Sequence, residues 1–314
     1  MITFGYTMID INSVLVVIEP NQLQQPALSR GIDLVNKTGA KLMVLLSVYH
    51  PSYDMTTMMS SSEREEFRAE YISDQYQALS ELIETYDLPS QTVTAINWHK
   101  RVYDSIVETA KDEQADIIIK STIHHDVVTS LVFTPLDWHL MRKSPIPVLL
   151  VKHNEWPSYD DILTAVNTGD EDKSHTDLNE KLTSTAEDFA KLFSSNLYLV
   201  NAYPHIPLPL AKSSPAFTFN SLNVAIRNHH KQAMNNFGLR HRIQHANLYV
   251  KEGLPEQVIP NVASNINADL LIIGSGSKGS LNGFTLGNTA EHIMNNIKCD
   301  VLTIKPDGFV SPKH

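Results

Sequence analysis

Short apolar, β-branched runs recur along the whole chain and alternate with stretches whose apolar residues fall at helical spacing. In the first half the runs are SVLVVI (13–18), KLMVLLSV (41–48), TVTAIN (92–97), ADIIIK (115–120) and PVLLVK (147–152). In the second they are DILTAVN (161–167), NLYLVNA (196–202), NLYV (247–250), ADLLIIG (268–274) and DVLTIK (300–305). Runs of this length bounded by turn residues predict strands, and their alternation with helices is βαβ order. The strongest predicted helix covers 62–86, with Phe67, Tyr71, Leu79, Leu82 and Tyr86 near helical spacing. Its acidic opening, SSEREE, suits the positive end of a helix dipole.

The two halves share more than rhythm. Ala115-Asp116 matches Ala268-Asp269, Ile106 matches Ile259, His139 matches His292, Met141 matches Met294 and Lys152 matches Lys305, always 153 positions apart. The chain therefore reads as a duplicated unit, with domains at 1–153 and 154–314 joined by the polar stretch HNEWPSYDD (153–161). About five strands per unit predict an α/β fold of two tandem doubly wound, Rossmann-like domains, each a parallel sheet with helices on both faces. In the order 3-2-1-4-5 the first and fourth strands are neighbours, and ligands bind beyond their carboxyl ends. Glu19 would then face the loop after Ile119, and Asn167 would face Gly274.

Composition narrows the function classes. With 42% apolar and 19% charged residues over 314 positions, the chain is long enough for two globular cores. A formal charge of -10 without a basic cluster argues against nucleic acid as a direct partner. A single cysteine, Cys299, excludes an intrachain disulfide framework. The amino-terminal stretch lacks the basic n-region of a signal peptide and no apolar run approaches a membrane span, so the expected location is the cytoplasm.

Candidate chemistry centres on GSGSKGSLNGFTLGN (274–288), which follows the fourth strand of the second half. Gly274, Gly276 and Gly279 spell G-x-G-x-x-G, but a dinucleotide fingerprint follows the first strand and opens a helix at once. A P-loop is excluded by order, because Lys278 precedes Gly279. The remaining template is a glycine turn, a spacer of nine, and Gly287 opening a helix NTAEHIMNNI, with Asn288 as N-cap and Glu291 three residues on. Unpaired N–H groups at such a helix start favour phosphate.

Here the chain resembles the universal stress protein family, whose nucleotide loop reads G-x-x-G-x9-G-[ST]. The resemblance extends through VIEPNQLQQPAL, SYDMTT, FTPLDWHLMRKSPIPV, LNEKL, KEGLPEQVIP and LGNTAEHIMNNIKCDVLTIKPD, over nearly the whole chain and in the tandem form of the family. It implies an adenine nucleotide alpha hydrolase-like fold, an internal pseudo-dimer paired through the last strand of each half, and a role in stress response. It also implies that Asn167, Gly274, Ser277, Gly287, Asn288 and Thr289 hold a ligand such as ATP, with Ala202 near the base. Three departures stand out. Ser277 replaces the second glycine and Asn288 the Ser/Thr, while Asn167 stands for the family's ribose-binding aspartate.

The first half lacks the loop. The positions equivalent to Gly274, Ser277, Gly287 and Asn288 are Ser121, His124, Thr134 and Pro135. Thr134-Pro135-Leu136-Asp137 instead reads as a capping box with proline at N1, so this half is not expected to bind ATP through such a loop. His124, His125, Asp126, Asp137 and His139 are read as surface and capping groups rather than a metal site. His139 and His292 suggest packing where the halves join, and Met55, Met58 and Met59 could line a greasy pocket. His229 and His230 are placed on a solvated helix and Cys299 in the core. The expected function is non-catalytic binding of a small, nucleotide-like ligand by the second half, without metal, as a monomer or homodimer. The alternatives are a nucleotide hydrolase or adenylyl-group enzyme, and a protein-interaction scaffold.

Overall fold

The computed structural model of the chain describes residues 11–20, 22–55, 59–124, 131–132, 134–152, 158–204, 219–275, 293–294 and 296–311. The chain divides into two compact units, one built on 10–124 and 133–153, the other on 154–314. All ten predicted strands form. In the first half the order is β1 (Ser13–Val17), α1 (Pro26–Thr38), β2 (Lys41–Val48), α2 (Ser52–Met55), α3 (Ser61–Ile83), β3 (Val93–Trp98), α4 (Val102–Asp112), β4 (Ile117–Ser121), α5 (Pro135–Lys143) and β5 (Val148–Val151). Hydrogen bonding gives β3-β2-β1-β4-β5, every pair parallel. The second half runs β6 (Asp161–Ala165), α6 (Lys173–Phe193), β7 (Asn196–Tyr203), α7 (Phe219–Arg240), β8 (Leu248–Glu252), α8 (Pro255–Asn265), β9 (Leu270–Gly274) and β10 (Asp300–Ile304). Its strands order as β8-β7-β6-β9-β10, again parallel, so both halves have the expected 3-2-1-4-5 order.

Burial explains the strand sequences. Every residue of β1, β4, β5 and β10 is buried, because helices cover both faces of a parallel sheet and no face is left for polar residues. α1 begins with Pro26 and ends at Gly39, whose φ of 75° a side chain would oppose. It turns Ala27, Leu28, Gly31, Leu34 and Val35 inward at helical spacing.

The repeated Asp116 and Asp269 have a shared mechanical role. Asp116 Oδ2 accepts from the N–H groups of Asn12 and Ser13 at 2.7 and 3.0 Å. Asp269 Oδ2 accepts from those of Asp160 and Asp161 at 2.8 and 3.0 Å. Each carboxylate sits just before the fourth strand of its half and pins the entry of the first, satisfying N–H groups that precede the ladder.

Several local readings change. The stretch 153–161 is not polar throughout, since Tyr159 is fully buried, donates to Asp300 Oδ2 at 2.7 Å and packs its ring on Phe193. α3 starts where predicted, with Ser60 and Glu63 forming a reciprocal capping box, yet it buries only Leu79. Phe67 and Tyr71 instead join a half-buried aromatic group with His50 and Trp98. α7 is not a solvated helix: Met234 and Phe237 pack on Val166 and Leu199, and His230 stacks on Tyr203 at 5.1 Å while His229 stays exposed. His139 packs on Tyr103 inside the first half, and His292 lies outside the described residues. Met59 is exposed, Met58 lies outside the described residues, and Cys299 is buried. No helix among the described residues is long and apolar enough to cross a membrane.

The end of α7 is tied to α6 by one imidazole. His241 Nδ1 lies 2.9 Å from Glu187 Oε1 and Nε2 lies 2.8 Å from Glu180 Oε2. A carboxylate on each nitrogen requires both to donate, which only the imidazolium can do. Burial opposes that charge, but the hydrogen bonds and charges of Glu187 and Glu180 outweigh it and raise the His241 pKa. A raised histidine contributes stability that is full below its unfolded pKa and is lost as pH rises through the folded one. In urea unfolding, the native protein should therefore exceed a His241→Gln variant by about 1–2 kcal/mol at low pH, with the gap closing as pH is raised. A gap independent of pH would exclude the charged bridge.

Candidate functional site

In each half the crevice lies beyond the carboxyl ends of the first and fourth strands. Both crevices are built on the same clamp. In the first half the buried Gln25 side chain accepts from Glu19 N at 3.0 Å and donates to Glu19 O at 2.8 Å. In the second, Asn179 of α6 accepts from Asn167 N at 3.0 Å and donates to Asn167 O at 2.9 Å. A primary amide matches a backbone N–H and C=O together, so each clamp fixes the main chain just past the first strand. Glu19 and Asn167 are thereby presented at equivalent points.

What they face differs. Lys120, at the end of β4, is 1% exposed; its ammonium contacts Glu19 Oε1, lies 2.8 Å from Asp137 Oδ1 and donates to Ser121 O at 2.9 Å. Its three protons thus have three oxygens. Asp137, fully buried, is the third residue of α5 and closes the expected capping box: Thr134 Oγ1 accepts from Asp137 N at 3.2 Å, and Asp137 Oδ2 accepts from Thr134 N at 2.7 Å. Burial pulls the Lys120 ammonium down, but Asp137 and Glu19 outweigh it and hold the pKa above the ordinary lysine value. Burial likewise pushes the Glu19 carboxyl up, against the lowering effect of Lys120. At the start of α5, where the helix dipole favours an anion, the protein has supplied its own.

The second half carries none of these charges at the matching positions. Ile273 stands where Lys120 does, Asn167 replaces Glu19, and Ala290, outside the described residues, matches Asp137 in sequence. Among the described residues a crevice remains, bounded by Asn167, His175, Leu178, Leu182, Ile273 and Gly274. A Cβ added to Gly274 would lie 2.7 Å from Leu178 Cδ2 and 3.4 Å from Leu182 Cδ1. The glycine therefore lets α6 lean against the strand end, where in the first half Ser121 Oγ accepts from Ala27 N at 2.9 Å.

α6 brings in the second polar group of this crevice. Asp172 caps the helix by accepting from Ser174 N at 2.8 Å. One turn in, His175 is 9% exposed and its Nδ1 lies 2.6 Å from Asp170 Oδ2. The N–H of Asp172, then burial in the opposite sense, then His175 set the Asp170 pKa, and the net result is a carboxyl below its ordinary range.

The expected site residues divide as follows. Asn167 and Gly274 share the crevice. Ala202 sits at the end of β7 beside Lys251 of β8 and is not part of the crevice wall. Ser277, Gly287, Asn288 and Thr289 lie outside the described residues. Among the described residues no group of three or more His, Cys, Asp or Glu side chains could hold a metal ion.

A chain of two such five-stranded units has clear relatives. The model of the "Universal stress protein family" matches twice, over residues 11–152 and 159–305. The chain belongs to the universal stress protein family. Universal stress protein E of Photorhabdus laumondii is 37% identical over 308 residues, covering 97% of this chain and 98% of that protein. Universal stress protein E of Escherichia coli K12 is 36% identical over 302 residues, covering 96% of each. Among solved structures, a functionally unknown protein from Pseudomonas aeruginosa PAO1 superposes with a TM-score of 0.70 at 28% identity, over 95% of this chain and 93% of that one.

Family resemblance pointed to the glycine loop but missed Lys120, Asn179, Asp170 and His175. A charged residue ending the apolar run ADIIIK, matched by isoleucine in ADLLIIG, was the available signal for Lys120. Lys120→Met should leave two buried carboxylates without their cation and reduce stability to urea by about 3–5 kcal/mol. Adding Glu19→Gln and Asp137→Asn should recover much of the loss, because the uncompensated charge goes too. A single-variant loss below about 1 kcal/mol would show that the ammonium is not buried between them.

Proposed function

We propose that this universal stress protein acts in the cytoplasmic stress response by holding a small ligand in its second half without turning it over. The domain boundary is placed at 153/154, with the first unit supporting and the second binding. The observation that carries this reading is the contrast between the crevices: the first is filled by Glu19, Lys120 and Asp137, and the second, among the described residues, is open beside Asn167. A buried ion cluster occupies the place a ligand anion would take, whereas an open, largely apolar crevice with a few polar groups is the usual form of a small-molecule site.

Nucleotide-like compounds are the first ligands to test, since Asn167 can hydrogen-bond hydroxyl groups and the sequence loop 274–288 resembles the family's nucleotide loop. Native mass spectrometry on freshly purified protein, beside an Asn167→Phe variant that fills the crevice, should reveal an adduct of defined mass that the variant lacks. Added ATP with magnesium should bind the native protein and leave the variant bare. Bare protein in both samples, with no shift on adding ATP, would remove the ligand reading and favour the scaffold. Phosphate release above background by the native protein alone would replace it with the hydrolase reading.

A further inference from the structure

The crevice of the second half has two polar groups with capacity to spare. Asn179 spends its amide on the backbone of Asn167. The side-chain amide of Asn167 and the Nε2 of His175 form no hydrogen bond among the described residues, and both border the crevice. Leu178, Leu182 and Ile273 supply apolar lining. Resting on the ligand-binding reading above, we propose that His175 is an anion-recognition residue, so that the crevice selects ligands with an acidic group on an apolar body and binds them more tightly as pH falls.

The geometry gives this a mechanism. Asp170 Oδ2 lies 2.6 Å from His175 Nδ1, which fixes the ring and assigns that nitrogen as a donor. The other nitrogen, Nε2, then accepts when the ring is neutral and donates a charge-assisted hydrogen bond when it is protonated. Among the described residues, the charged groups beside the ring are Asp170 and Asp172, on the turn before α6. From β6 and β9, packed on this face of the helix, come Ala165, Val166, Asn167, Ile273 and Gly274, none of which titrates. The crevice offers a ligand anion no competing carboxylate among the described residues of its wall. In the first half the equivalent space is already closed by Asp137 on Lys120, so the anion preference belongs to the second half.

Two fluorescent probes of similar shape test it on the full-length protein. Anilinonaphthalene sulfonate carries a charge that does not titrate in this range, and N-phenylnaphthylamine has the same body without it. Between about pH 8.5 and about pH 5.5 the sulfonate probe should gain roughly 10-fold in affinity, the value of one charge-assisted hydrogen bond at a partly open site. The neutral probe should not respond. His175→Gln should abolish the gain while leaving neutral-probe binding intact. An unchanged gain in His175→Gln, or an equal gain for the neutral probe, overturns the role of His175. Binding of both probes without pH dependence overturns it too, and leaves the crevice as a ligand site. Failure of both probes to bind, or equal binding by Asn167→Phe, removes the site itself.

Discussion

A parallel strand pair cannot be closed by a tight turn, so every strand must be followed by a crossover, and all carboxyl ends emerge at one edge of the sheet. With the order 3-2-1-4-5, the chain leaves the first strand toward one side and the fourth toward the other, and a gap opens between them. Everything of chemical interest in each half lies at that gap: Glu19 with Lys120, and Asn167 with Gly274. Polar groups that line this gap need partners wherever they are withdrawn from water.

The halves fill it by different physics. In the first, a lysine with 1% exposure requires compensation, and two carboxylates supply it. Such a cluster adds little net stability, since desolvation offsets the attraction, but removing one member is costly. It therefore locks the contents of the gap. In the second, isoleucine at the lysine's place leaves no charge to compensate, and packing of Leu178 and Leu182 against Gly274 forms one wall. Asn167 and His175 keep unspent hydrogen-bonding capacity there among the described residues.

Elsewhere the duplication is preserved where it does mechanical work. Asp116 and Asp269 pin the first strand in both halves. Gln25 and Asn179 clamp the residue after that strand, although one side chain is a methylene longer and sits at the helix start, the other two turns in. Register at the strand ends is conserved between the units while the chemistry presented there has diverged.

Much of this was legible in the residues themselves. Apolar runs of strand length, alternating with helical periodicity, determined ten strands and their parallel order, because burial on both faces leaves a continuous signature. The 153-residue match determined the duplication, and Thr134 with Asp137 determined a helix start, since a capping box is a local pattern three residues long. Contacts between residues distant in sequence were not legible. Nothing in the spacing of Glu19, Lys120 and Asp137 marks them as one cluster, and nothing marks Asp170 and His175 as neighbours of Gly274. Those groupings arise only when the sheet sets its first and fourth strands side by side and a helix lays one face across their ends. Tertiary structure therefore decided that the first crevice is closed by the protein's own charges, while the second holds no such ion cluster among the described residues.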